Sequence, residues 1–169
     1  TKVLDNKVVT QSNYNVVIAT DTSVTATNLN NYDTYSGSGT VSTTATTITG
    51  AVEDIATALT SGQVSHLSNI NVSFDTIASA DSDDAANINT ILANTTGTVS
   101  GTVTGAADVL ATISADTGTI ADGDMSLIVS DGATALEAFA IIAATSKATV
   151  DFSAAGLVDT QVKISALSP

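Results

Sequence analysis

Thr49-Gly50-Ala51-Val52-Glu53-Asp54-Ile55-Ala56-Thr57 returns 55 residues later as Thr104-Gly105-Ala106-Ala107-Asp108-Val109-Leu110-Ala111-Thr112. A second pair of segments, Ala85–Thr96 and Ala135–Ser146, matches at an offset of 50 residues. Self-similarity at such spacings marks stacked supersecondary units, each burying an apolar face on its neighbours.

Working outward from these segments, short β-branched runs alternate with Ala-rich stretches of helical period. Val16–Ile18, Thr40–Thr47, Ile70–Phe74, Thr98–Val103, Ser126–Val129 and Ala148–Phe152 combine Val, Ile and Thr, and Gly, Asn, Asp or Ser bound them, which predicts strands. Between them, Val52, Ile55, Ala56 and Leu59 fall at i, i+3, i+4 and i+7, one face of a helix. Ala106, Val109, Leu110 and Ile113 repeat that spacing. Ala133–Ala144 predicts the longest helix, with Leu136, Phe139, Ala140 and Ala143 as its inward stripe and Ile141 and Ile142 widening it. Ala85–Ala93 is its counterpart, with Ile88, Ile91 and Leu92 facing in, and Thr25–Tyr35 predicts a weaker helix of a turn or two. Thr49 and Thr104 are placed to cap the helices that follow, with Glu53 and Asp108 near the positive end of the dipole.

A helix between successive strands does not fit in a tight hairpin, so the strands are expected to pair in parallel by crossover. The expected class is therefore α/β: a solenoid-like repeat array of parallel strands with crossover helices, with about 25–30 residues per β–α unit. Residues 15–169 form this domain. Residues 1–14 stand apart as an N-terminal strand or arm, where Val3, Leu4, Val8 and Val9 either cap the first unit or add a strand to a neighbouring subunit.

With 43% hydrophobic residues the chain is apolar enough to bury a core, although only 4% are aromatic, so small and branched side chains must build it. Seventeen acidic residues against four lysines give a net charge of −13. That leaves no cationic footprint for nucleic acid or for anionic membrane surfaces. No window approaches the length of apolar chain that a membrane span needs. Cysteine is absent, which removes thiol catalysis and thiolate metal sites and suits an exported protein whose stability comes from extending one core.

Residues that carry chemistry are few. His66 is the sole histidine and reads as a solvated loop residue. Two acidic groups, Asp81-Ser82-Asp83-Asp84 and Asp122-Gly123-Asp124, could offer several oxygens to Ca²⁺, but neither matches a known calcium loop. The alternative reading is an N-capping run at Asp81, Asp83 and Asp84 and a simple turn at Asp122 and Asp124. Calcium is thus the one cofactor the sequence offers, in a structural role. Asn71-Val72-Ser73 and Asn94-Thr95-Thr96 are acceptor patterns for N-glycosylation, the first inside a predicted strand.

Thr-Gly-Ala-x-(Asp/Glu)-hydrophobic-Ala-Thr, with Ala-Ala-x-Ile-x-x-Ile-Leu-Ala-x-Thr-Thr-Gly-Thr-Val, resembles repeats of giant acidic bacterial cell-surface proteins of the cyanobacterial type, RTX-like, hemolysin-like and adhesin-like. The matching segments are Thr49–Thr57, Ala85–Val99, Thr104–Thr112 and Ala135–Val150. The glycine-rich calcium nonapeptides of true RTX proteins are missing. The resemblance implies an exported, non-catalytic, extracellular or cell-surface protein whose partner is itself, through neighbouring repeats or further copies. A competing reading is a receptor- or glycan-binding fibre module, for which Tyr32 and Tyr35 with Asn28, Asn30 and Asn31 are the candidate surface. An enzyme acting on polysaccharide would instead need two facing carboxylates and the aromatic platforms that this chain lacks.

Overall fold

The computed structural model describes residues 13–19, 22–113, 125–144 and 149–154. In chain order the elements are β1 (Val16–Ile18), β2 (Ser23–Thr25), α1 (Ala26–Ser36), β3 (Val41–Thr43), β4 (Thr47–Gly50), α2 (Val52–Thr60), β5 (Val64–Ser65), β6 (Asn71–Phe74), β7 (Ile77–Ala80), α3 (Ser82–Asn94), β8 (Val99–Gly105), α4 (Ala107–Leu110), β9 (Met125–Val129), α5 (Ala135–Ala144) and β10 (Thr149–Asp151). The fold is α/β. One sheet runs β10-β9-β8-β6-β4-β2, with β7 also paired to β8, and a second runs β1-β3-β5. All pairings between these strands are parallel, as the intervening helices require.

The register is regular. Val24 pairs with Ile48, Ile48 with Val72 and Val72 with Val99, while Val103 pairs with Leu127 and Leu127 with Val150. The first four form a buried apolar column. Side chains alternate along a strand, so Thr25, Thr49, Ser73 and Ser100 fall into a second, polar column on the other face. Hydroxyls that border the strands donate to carbonyls of the preceding strand or loop: Ser100 Oγ to Val72 O (3.0 Å), Thr46 Oγ1 to Thr22 O (3.1 Å) and the buried Thr95 Oγ1 to Ile70 O (2.5 Å).

Two corners are built alike. Asn15 Oδ1 accepts from Thr40 N, and Asn71 Oδ1 accepts from Thr98 N, each at 3.0 Å. In both cases the residue before the threonine is glycine, Gly39 or Gly97. A Cβ on either would overlap the backbone carbonyl of Tyr14 or Ile70 respectively. Glycine is required there by the closeness of two main chains.

The helices cover the seven-stranded sheet and each packs on the next, α1 on α2, α2 on α3, α3 on α4 and α4 on α5. Val52, Ile55 and Ala56 are buried and Leu59 half-buried, the stripe the spacing predicts, and Ile88, Ile91 and Leu92 of α3 face the core. No helix among the described residues is long and apolar enough to cross a membrane.

Several expectations are corrected. Thr40–Thr47 is two strands, β3 and β4, separated by a bend in which Ala45 N donates to Thr43 Oγ1. Short strands β2, β5 and β7 were not predicted, so β1, β3 and β5 pair in one sheet while β2, β4 and β6 pair in the other, and successive strands are not always neighbours. The predicted weak helix is an 11-residue α1, capped by Thr25 Oγ1, which accepts from Asn28 N. The predicted copy of α2 at Ala106–Ile113 is the single turn α4. Bonds from Thr112 N to Val109 O and from Ile113 N to Leu110 O tighten its end into an i→i−3 pattern, and Ile113 is still buried. Thr49 and Thr104 lie inside β4 and β8 and cap nothing; the N-cap residues of α2 and α4 are Ala51 and Ala106.

The largest correction concerns α5. Leu136 is 78% exposed and Phe139 46%, while Ala135, Ala138 and Ile141 are the buried stripe. Thr134 N donates to Glu137 Oε2 (2.8 Å) and Glu137 N donates back to Thr134 Oγ1 (3.3 Å), a reciprocal cap that sets where the helix starts, while the surface packed against it sets which face is buried. In a helix apolar on most sides, spacing cannot choose the inward face.

Candidate functional site

Asp81, Asp83 and Asp84 stand at the start of α3. Asp81 accepts through Oδ1 from Asp83 N (2.9 Å) and Asp84 N (3.1 Å), and Asp84 Oδ2 accepts from Asp81 N (3.2 Å). Two of the three carboxylates are thus occupied in a capping box that satisfies donors otherwise left open at the helix start. The other half of the calcium expectation, Asp122 and Asp124, lies outside the described residues, as do Val3, Leu4, Val8 and Val9 of the N-terminal arm. No group of three or more His, Cys, Asp or Glu side chains suited to a metal occurs among the described residues.

On α1, Asn28, Asn31, Tyr32 and Tyr35 are exposed, the tyrosines at 43% and 67%. Asn30 leaves this group: its Nδ2 donates to Asp54 O (2.9 Å) across the α1–α2 seam. The same seam holds Thr27 Oγ1 donating to Asp54 Oδ2 (2.6 Å) and Ser61 Oγ donating to Asp33 Oδ2 (2.8 Å). Asn30 Oδ1 and Asp33 Oδ1 are shielded there without a hydrogen-bond partner. The candidate binding surface therefore splits into a polar side joined to α2 and an aromatic side that faces solvent.

His66 is exposed and adopts φ 68°, a left-handed conformation in the loop after β5. Asn71 is half-buried in β6 with its Oδ1 engaged by Thr98 N, whereas Asn94 is exposed at the end of α3. Of the two glycosylation patterns, only Asn94 is exposed, and its Nδ2 donates to Thr90 O (2.8 Å).

The sequence reading missed the distribution of exposed apolar side chains. Val17 (69%), Tyr32 and Tyr35 lie in β1 and α1, and Leu136, Phe139 and Ile142 (46%) lie in α5. No other large hydrophobic among the described residues is exposed, so the two ends of the sheet order carry them all. The signal available beforehand was the 50-residue repeat: Ala85, Ile88 and Ile91 of α3 are buried, and their repeat partners Ala135, Ala138 and Ile141 are the ones buried in α5. Comparison with family models, with curated proteins and with solved structures returned no match for this chain.

Proposed function

We propose that this chain is a non-catalytic structural protein, a segment or subunit of an extracellular or cell-surface fibre or adhesin built as an α/β solenoid. The observation that carries this reading is the apolar column Val24–Ile48–Val72–Val99, followed by a second column, Val103–Leu127–Val150, that starts four residues further along β8. Each strand–helix unit is bonded to its neighbours at an interval of about 24 residues, and side-chain hydrogen bonds between units keep the same interval, from 23 residues (Asn89 Nδ2 to Thr112 O) to 28 (Ser100 Oγ to Val72 O). Nothing in that scheme limits its length. Within the described residues β2 and β10 each have one strand neighbour, so both sheet edges offer unpaired main-chain groups to a further strand. The resemblance to repeats of giant acidic bacterial surface proteins belongs to this reading. Net charge −13 keeps lateral surfaces apart and favours growth along one direction.

Negative-stain electron microscopy of the purified chain over a concentration series tests it. Filaments of uniform width support the reading; monodisperse particles at every concentration overturn it. The exposed Tyr32 and Tyr35 favour a second reading, a glycan-binding fibre module, which a glycan array with the wild type and Tyr32→Ala/Tyr35→Ala distinguishes.

A further inference from the structure

We infer that the exposed apolar stripes of α1 and α5 are the two halves of one head-to-tail junction between copies of this chain. The inference rests on the fibre reading and names the surfaces that reading leaves open.

In α3, Leu92 is only 6% exposed, and Asn89 donates through Nδ2 to Thr112 O of the following unit (2.9 Å). By the 50-residue repeat, the same two positions in α5 are Ile142 and Phe139, each 46% exposed. The face that meets the next unit at an internal junction is bare in α5.

The opposite end behaves the same way. In α2, Asp54 and Ser61 meet α1 through Thr27, Asn30 and Asp33, and Ala58 is buried. Aligning the N-cap residues Thr25 and Ala51 places Asn28, Tyr32 and Tyr35 of α1 at those three positions. All three are exposed, and Tyr32 lies ~200° around the helix from Asn30, on the side away from α2. Each end therefore presents the positions that elsewhere meet a neighbouring unit, and these include the large side chains Tyr32 and Tyr35 at one end and Phe139 and Ile142 at the other. Two such surfaces on opposite ends of one molecule make a heterologous contact that repeats without closing.

A second copy of this chain is the occupant that fits, because the bare positions at each end are those that meet a neighbouring helix or unit of this same chain at the internal junctions. Parallel addition of β2 of one copy beside β10 of the other would extend the same sheet.

The test uses the full chain in sedimentation velocity over a concentration series, with a head variant (Tyr32→Ser/Tyr35→Ser) and a tail variant (Phe139→Ser/Ile142→Ser). Each variant alone is expected to associate at least roughly tenfold more weakly than the wild type. An equimolar mixture is expected to restore association but stop at a 1:1 dimer, because only one competent junction remains. The single changes Tyr35→Glu and Leu136→Glu, at the most exposed large hydrophobic of each helix, give the same pattern without touching the core, and circular dichroism verifies their folding. If both variants assemble as the wild type does, the fibre reading stands and this junction is wrong. A mixture that stays monomeric overturns it too. A wild type that is monomeric throughout overturns both.

Discussion

Asp131 caps a helix that is not its own: its Oδ1 accepts a hydrogen bond from the backbone N–H of Ala107 at 2.7 Å, across an interval of 24 residues. The N-cap residue Ala106 offers no side-chain acceptor and Asp108 Oδ1 takes only Val109 N (2.8 Å), so the Ala107 N–H is met from beyond the next strand. The contact ties the start of one helix to the loop after the next strand, so local helix stability depends on the neighbour being in place.

Asp131→Ala is expected to destabilise the chain by about 1 kcal/mol, the usual worth of an N-cap, which for this chain length lowers Tm by roughly 2–4 °C. Asp131→Asn keeps an acceptor and is expected to retain most of that stability. Thermal unfolding followed by circular dichroism checks both; equal losses for the two variants would show that charge alone matters.

The three aspartates at the head of α3 separate by role. Asp81→Ala removes the acceptor of two backbone bonds and is expected to cost about 1 kcal/mol, whereas Asp83→Ala stays within about 0.5 kcal/mol of the wild type. Denaturant unfolding in calcium-free buffer and again with added calcium measures both. A calcium-dependent loss shared by the Asp81 and Asp83 variants would restore the metal reading.

At the corner before β8, Gly97→Ala forces a Cβ against the Ile70 carbonyl, a main-chain group that cannot swing aside. A cost of about 1–3 kcal/mol is expected, the range for overpacking. Gly39→Ala against Tyr14 is expected to behave alike, while Gly62→Ala, with open space around it, serves as the control. Urea midpoints of the three variants compare them directly.

Asp151 in β10 has its carboxyl pKa lowered, chiefly by the backbone hydrogen bond from Ser153 N to its Oδ1 (2.7 Å) and then by the Ser153 side chain, against a small opposing effect of burial. A depressed folded pKa means the folded chain holds the carboxylate better than the unfolded chain does. The associated stability is present above the ordinary Asp value of about 3.9 and is lost as pH falls through the lower folded value. An NMR titration is expected to place Asp151 below the ordinary value, and Asp151→Asn is expected to remove that part of the acid dependence.

Much of the architecture is legible locally. Val16–Ile18, Ile70–Phe74 and Ser126–Val129 are β-branched runs between turn formers, and the structure makes each a strand within a residue or so. Val52, Ile55 and Ala56 announce a helix face because Glu53, Asp54, Thr57 and Thr60 make the rest of α2 mostly polar. Where that contrast fails, so does the reading. Leu136 and Phe139 look inward only because nearly every residue around them is apolar, and packing against the neighbouring elements buries Ala135, Ala138 and Ile141 instead. Strands as short as β5 carry too few residues to show a period, and they exist because Val64 and Ser65 fall beside Val41 and Ser42 of β3.

By itself the sequence determined that strands and helices alternate and that the strands run parallel, because side-chain period and the length between strands are local quantities. It also determined the acidic body with lysines only toward its two ends. Tertiary structure alone decided that two sheets share the early strands, that Asp131 caps the helix of another unit, and that Tyr32, Tyr35, Phe139 and Ile142 are left bare. Those outcomes depend on which neighbour each unit meets, and a side chain's burial is set by the surface laid against it.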